Sequence, residues 1–300
     1  MAGADSVIAS SGAANAYRNA GRGLTLCAMS LPVPNSLSPS KVSSFRSCPL
    51  AFRFSAIDRL PEIPTPWAVK GTLVHKALES LFWNAAPGKR SLAAGLESLD
   101  AAWHDSQDDP EVTGLNLDGA GADTMLREAT KLIENYFSIE DPNEVTAIGV
   151  EITLEASVEG TRLRGIIDRL DLDQDGSLVV TDYKTGSAPR AGHEQARFEG
   201  VNFYALLCEE ALGIRPTKVR LVYLKNPVVL TAEISEQSLR GLRKRTSAVW
   251  SAIQRACVTE DFRPKPSPLC PYCSFQAICP AFACTETGGS GEAGARGSGA

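Results

Sequence analysis

Two aspartates and a lysine stand in an otherwise aliphatic stretch, residues 165–186, GIIDRLDLDQDGSLVVTDYKTG. Asp168 lies among Ile166, Ile167 and Leu170, and Asp182 and Lys184 follow Leu178-Val179-Val180. Between the two groups, Asp173-Gln174-Asp175-Gly176 has the composition of a tight reversal: Asp side chains bond local N–H groups and Gly accepts positive φ. The stretch reads as a β-hairpin. Two carboxylates and one ammonium on paired strands are the minimum set for holding a divalent cation and activating water. The same residues suit the solvated edge of a sheet, and the hairpin alone does not choose. His75 is the next group of interest. It lies with Glu79, at i and i+4, beside the apolar helix face of Val74, Leu78, Leu81 and Phe82. A lone helical histidine is most often structural, so His75 gains weight only if its helix packs beside the hairpin. Glu151, on the strand before the hairpin, is a further carboxylate.

A second chemical group closes the sequence: Cys270-Pro271-Tyr272-Cys273, then Cys279-Pro280, a C-x2-C-x5-C spacing. A C-x2-C turn aims two sulfurs at one centre, and thiolates suit zinc or iron–sulfur clusters, both commonly with four ligands. The fourth ligand must come from elsewhere. Cys284 is near in sequence and gives a zinc-ribbon reading without a second C-x2-C pair. Cys48 is remote but is followed by proline, as Cys279 is, and Cys-Pro recurs at iron–sulfur ligands. Cys27, Cys208 and Cys257 read as unrelated, one in an irregular leader and two in helices, where a buried inert thiol is usual.

The elements that must position these groups change period along the chain. Residues 1–37 are rich in Ala, Ser, Gly and Asn and read as a disordered leader, within which Met29 is a second possible start; 285–300, TETGGSGEAGARGSGA, reads as a flexible tail. The body is then 38–284. Ser40 is the expected N-cap of a first helix carrying Val42, Phe45 and Cys48. Pro61, Pro64 and Pro66 mark a loop, and Gly71-Thr72 opens the His75 helix. Residues 85–120 mix helix and loop, and a helix spans about 123–138. Strand-like alternation follows at 146–157 and 161–172, so the opening hairpin completes a three-strand meander. A helix at 195–211, strands at 218–225 and 228–234, and an amphipathic helix at 235–258 complete the body. The class is α/β or α+β.

Composition bounds the partners. The 300 residues are 43% hydrophobic, enough for a sizeable core, and the net charge of −5 carries no global signature of a nucleic-acid binder. Charge is uneven, however: basic residues outnumber acidic ones in 40–70, while 94–123 is acidic, so a basic groove on an acidic protein is compatible with the totals. No apolar run approaches the ~18 residues of a membrane span, and no secretory signal is evident. The expectation is a cytoplasmic protein without a membrane partner, whose eight cysteines serve metal binding rather than a disulfide framework. Neither a P-loop nor a GxSxG or GxGxxG turn in strand–helix context occurs, which argues against ATP-driven work by this chain.

Taken in order, Ser38-Pro39-Ser40 through Cys48-Pro49, Gly71-Thr72-Leu73-Val74-His75, Gly165-Ile166-Ile167-Asp168-Arg169, Asp182-Tyr183-Lys184-Thr185-Gly186 and the three terminal cysteines resemble one family. They are similar to the RecB-like exonucleases of the PD-(D/E)XK nuclease superfamily, in the branch with an iron–sulfur cluster that includes AddB-type and CRISPR-associated exonucleases. The resemblance implies a restriction-endonuclease-like core: a central mixed sheet flanked by helices, with a helical N-terminal region and a Cys-rich C-terminal segment. It implies a metal-dependent exonuclease acting on DNA, single-stranded by expectation, in repair or recombination, with a possible helicase partner. His75, Asp168 and Asp182, with the Tyr183 carbonyl, would ligate Mg²⁺ or Mn²⁺, and Lys184 would orient the attacking water or stabilise the developing phosphorane charge. Cys48, Cys270, Cys273 and Cys279 would hold a [4Fe–4S] cluster joining the two ends of the domain. Arg46, Arg53, Arg169 and Arg197 are expected on a phosphate-binding wall, with Phe52 or Phe54 to stack on bases. Tyr204 fits the family's Gln-x-x-x-Tyr motif, but Gly200 stands where the glutamine is expected and Gln195 is out of register. That departure leaves open a catalytically weak DNA-binding module of a helicase–nuclease complex.

Overall fold

The computed structural model describes residues 30–194 and 197–282. The leader up to residue 29, Gln195, Cys27, Cys284 and the tail from 283 lie outside the described residues. At its centre is a five-stranded mixed sheet in the order β1-β2-β3-β4-β5. β1 (Thr146–Val158), β2 (Thr161–Leu172) and β3 (Leu178–Lys184) form the expected meander. The turn between β2 and β3 closes through Gly176, at φ 78°, whose N–H donates to the Asp173 carbonyl. β4 (Lys218–Tyr223) runs parallel to β3, and β5 (Val228–Glu233) returns antiparallel to β4.

A parallel neighbour requires a crossover. It is a helix, Phe198–Leu212, that ends at Gly213 with the left-handed φ of 71°. The helices ahead of the sheet are α1 (Pro39–Ser47), α2 (Pro49–Phe52), α3 (Pro66–Asn84), α4 (Leu92–Ser106), α5 (Pro110–Thr113) and α6 (Gly119–Ile139). The crossover is then α7, and α8 spans Glu236–Thr259. Several helix starts differ from expectation; α6, for one, begins at Gly119 rather than near 123, where the Asp118 side chain accepts the Gly121 N–H. Ser38, not Ser40, caps α1 by accepting the Lys41 N–H, because Pro39 takes the first helical position and needs no donor partner. For the same reason α3 begins at Pro66, a turn and a half before Gly71.

Each face of the sheet has its own core. On one, α3, α4 and α6 bring Leu73, Leu78, Ile133 and Tyr136 against Tyr183 and Val222. On the other, α7 and α8 bring Phe203, Leu206, Leu239 and Ile253 against Leu163, Ile167, Val180 and Leu221. Leu37 is buried in this second core, and its backbone exchanges hydrogen bonds with Arg162 and Arg164 of β2. Leu31 N–H reaches the Cys257 carbonyl of α8. The packed body therefore begins ahead of residue 38. Among the described residues, no helix is long and apolar enough to cross a membrane.

Candidate active site

β3 alternates in the ordinary way: Val180 and Tyr183 belong to opposite cores. This aims Asp182 and Lys184 toward the α7 side. β2 does not alternate evenly. Leu163 and Ile167 face α7, but Arg169 turns to the α6 side, and Leu170 returns to the α7 core. The change of phase falls at Asp168. Opposite, on β1, Glu151 has a left-handed φ of 46° between Val150, paired with Arg169, and Ile152, paired with Ile167. A non-glycine residue in that region is strained, and such residues gather at functional sites. The paired irregularities bring Glu151 and Asp168 to His75 of α3.

His75 Nδ1 lies 3.5 Å from Asp168 Oδ2 and 4.0 Å from Glu151 Oε1. One ligand atom from each of His75, Glu151 and Asp168 falls within 4.8 Å of the other two, the arrangement of a metal-ion site. Asp168 Oδ2 also accepts the Tyr183 backbone N–H at 2.7 Å, which fixes the carboxylate on the β3 main chain. Asp182 adjoins the group, and its charge acts on both His75 and Glu151. It is buried, and its Oδ2 lies 2.5 Å from Lys184 Nζ. Through that contact Lys184 favours the charged form of the Asp182 carboxyl against its burial.

The protonation states follow from crowding. Burial, then Asp168 and Glu79, push the Glu151 carboxyl up to about 7, against the pull of His75. Burial and Asp168 also raise Asp182 despite Lys184. Burial works against the His75 cation, but the carboxylates of Asp168, Asp182 and Glu151 outweigh it and raise its pKa. Lys184 is likewise held charged by Asp182 and Asp168 against its burial. Carboxylates this close repel unless a proton or a cation lies among them. A divalent cation would be held by His75, Glu151 and Asp168, with the Asp182 carboxylate beside them.

The structure thus brings His75, Asp168, Asp182, Tyr183 and Lys184 together, and it adds Glu151 to the acidic group beside His75. The sequence marks Glu151 as a nearby carboxylate; the β1 kink that turns it inward has no sequence signature beyond Gly149 two residues earlier. Tyr204 of α7 is half-buried and senses the charges of Asp182, Asp168 and Glu151. Gly165 makes room for it: a Cβ there would stand 2.8 Å from the rings or methyls of Tyr204 and Leu207.

The expected phosphate wall is only partly present. Arg46 and Arg197 line the same cavity as Lys184. Arg169 does not: it is fully buried, donates to Glu140, Asp171 and the Tyr183 hydroxyl, and lies 4.7 Å over the Phe82 ring. The phase change at Asp168 is what sends it inward, so it cannot touch a substrate phosphate. Arg53 pairs with Asp58 and stacks at 5.9 Å on Phe262, away from that cavity. Phe52 is fully buried and unavailable for base stacking, whereas Phe54 packs edge-on against Phe275 at 5.5 Å.

At the C-terminal end of α1, Cys48, Cys270, Cys273 and Cys279 line one cavity of about 370 Å³, walled by Phe54, Trp67 and Phe275. All four are free thiols of intermediate exposure. Backbone N–H groups of Lys265 and Ser267 donate to Cys48 Sγ (3.4 Å) and Cys270 Sγ (3.2 Å). Cys208 and Cys257 are buried elsewhere, as expected.

Comparison with known proteins agrees with this arrangement. The chain is 23% identical over 268 residues to the Gene 69 protein of Mycobacterium phage D29, covering 82% of this chain and 96% of that one. It is 22% identical over 303 residues to the Gene 69 protein of Mycobacterium phage L5, with the same coverage. Among solved structures, a candidate exonuclease from Eubacterium rectale shares the fold with a TM-score of 0.52 at 13% identity, over 80% of this chain and 87% of that one. The model of the PD-(D/E)XK nuclease superfamily matches residues 36–280, which include every element from α1 to the thiol segment. With the sheet, the acidic centre and Lys184 in that setting, the chain belongs to the PD-(D/E)XK nuclease superfamily.

Proposed function

We propose that the chain is a metal-dependent deoxyribonuclease that hydrolyses phosphodiester bonds of single-stranded DNA from an end, in the manner of the RecB-like branch of its superfamily. The observation that carries this reading is the convergence of His75, Glu151 and Asp168 within 4.8 Å, beside the Asp182–Lys184 pair. A divalent ion held there would supply Lewis-acid polarisation of the scissile phosphate and acidify the attacking water. Asp168, tied to the Tyr183 main chain, keeps the acidic group in register with β3. Asp182 holds Lys184 as a cation at the wall of an open cavity. There the ammonium orients the attacking water or donates to the phosphate oxygen that gains charge. Tyr204 covers the carboxylates from α7. Arg46 and Arg197 supply backbone contacts that are independent of base sequence.

The reading extends to a [4Fe–4S] cluster on Cys48, Cys270, Cys273 and Cys279. Its support is that four unpaired thiols from the two ends of the fold line a single apolar-walled cavity, two of them already receiving backbone N–H bonds. The cluster would staple α1 to the C-terminal segment.

A second reading, a DNA-binding module of a helicase–nuclease complex with little or no catalysis, is favoured by Gly200 alone. One preparation tests both. Purified without oxygen, the protein should be brown and should cut end-labelled single-stranded DNA with Mn²⁺, while Lys184→Ala should not. Equal cleavage by the two proteins would point to a contaminant and remove Lys184 from the mechanism. Tight DNA binding without cleavage would select the second reading. A colourless protein with one bound zinc would end the cluster assignment.

A further inference from the structure

The cavity that Lys184 borders, about 860 Å³, continues between α1, α7 and α8. Besides Lys184 its walls carry four cations, Arg46, Arg197, Arg245 and Lys265, and a single carboxylate, Glu199. That carboxylate is shared. Glu199 Oε2 lies 2.5 Å from Arg46 Nη1, and Oε1 lies 3.4 Å from Arg245 Nε. Two guanidinium groups, one from α1 and one from α8, thus meet one anion through its two oxygens. A phosphodiester offers the same pair of charged oxygens to the same donors.

Among the described residues, no other hydrogen bond or ion pair holds these three side chains. The side chains of Arg46, Arg245 and Glu199 are 52%, 54% and 33% exposed, in contrast to the buried Arg169 pair. Exposed pairs of this kind contribute little to stability, so another anion can displace the carboxylate. The route from Lys184 is open at Gly200, where an added Cβ would meet nothing within 4 Å. A second cavity shares Glu199 and Arg245 and carries the basic side chains onward to Arg240 and Lys244 of α8.

We propose that Arg46 and Arg245 form a phosphate seat for the DNA strand beyond Lys184, and that Glu199 fills this seat until the strand replaces it. The seat makes no base contact, so it serves strands of any sequence. This inference rests on the reading of the chain as a nuclease acting on DNA.

The test is fluorescence anisotropy of a labelled oligodeoxythymidylate of about 20 nucleotides against the full chain. It is run in EDTA across a salt series and followed by cleavage of the same oligonucleotide with Mn²⁺. Arg245→Gln and Arg46→Gln should each bind about fivefold more weakly and lessen the slope of log affinity against log salt by ~0.7, the share of one single-strand phosphate. Glu199→Gln should bind severalfold more tightly than wild type. Arg127→Gln, an exposed arginine of α6, should match wild type. Wild-type affinity and slope in both arginine variants would overturn the seat, and no tightening in Glu199→Gln would overturn the role of that carboxylate. If the arginine variants match wild type while wild type cuts, the seat falls and the nuclease reading stands. If they weaken but wild type does not cut, the seat stands and the nuclease reading falls. Absence of binding by wild type would remove the seat. Matching thermal melts would establish that all four variants are folded.

Discussion

Replacing Glu151 by glutamine should make the metal-free protein more stable and the metal-bound protein less so. The carboxyl is held up to about 7 in the fold, against an ordinary 4.5. The folded chain thus keeps a proton that the unfolded chain releases. The Glu151 contribution to stability is most favourable below pH 4.5, falls as pH rises toward 7, and above 7 its whole loss is present. A gap of about two and a half pH units at 1.36 kcal/mol each sets a ceiling of about 3 kcal/mol. The side chain is 28% exposed, and solvent screening reduces the loss to about 1–2 kcal/mol. Glu151→Gln recovers it, because the amide keeps the shape without the charge. In EDTA at pH 8, scanning calorimetry should place the variant's Tm about 3–6 °C above wild type, and at pH 4.5 the two should coincide. Millimolar Mn²⁺ should reverse the order at pH 8, since the variant has lost an oxygen ligand. Equal melting in EDTA at pH 8, or an equal rise with Mn²⁺, would refute the placement of Glu151 in a repulsive acidic group.

Three further substitutions probe the framework. Arg169→Ala leaves Glu140 and Asp171 buried without their shared cation and should lower the unfolding free energy by about 3–5 kcal/mol in urea; an unchanged midpoint would mean that the network is solvated. Gly165→Ala drives a methyl to 2.8 Å from Tyr204 and Leu207, for a cost of about 1–3 kcal/mol and slower cleavage through a displaced Tyr204; wild-type melting and rate would show that α7 yields freely. Gly200→Gln meets open space and should melt at or slightly above wild type, so a fall in Tm would contradict the openness of the cavity at that point.

What the sequence conveys here is the order of its elements and most of the site. The β2–β3 hairpin, the helix after it and the two strands beyond follow from alternation, turn residues and helical spacing, and those places hold, whereas the parallel pairing of β4 with β3 has no such local signature. Asp168, Asp182 and Lys184 are legible because charge on an aliphatic strand is conspicuous. Arg169 is misplaced for the complementary reason. Alternation is a rule about regular strands, and the kink at Glu151 with its partner shift at Asp168 breaks the rule where the site is built. The fully buried arginine needs Glu140 from α6 and Asp171 to exist at all, and no local pattern connects residues 29 positions apart. Phe52 looks free in an aromatic-basic run but packs edge-on to Phe45 at 5.3 Å inside the core. Leu37 sits in a polar leader yet pairs with β2, a contact dictated by tertiary packing alone. The sequence identifies α8 as an amphipathic helix without singling out its arginines, and only the approach of α1 makes Arg245 and Arg46 neighbours of one carboxylate.

The central claim, that the acidic group beside Lys184 works through a divalent metal to cut DNA, is tested most directly by single-turnover cleavage of an end-labelled single strand across a Mn²⁺ series, comparing wild type with Asp168→Asn. Cleavage by wild type should saturate with Mn²⁺. Asp168→Asn should bind the strand in EDTA as wild type does and cut at least ~100-fold more slowly at every Mn²⁺ concentration. Cleavage by the variant at the wild-type rate, with the same Mn²⁺ midpoint, would contradict the account.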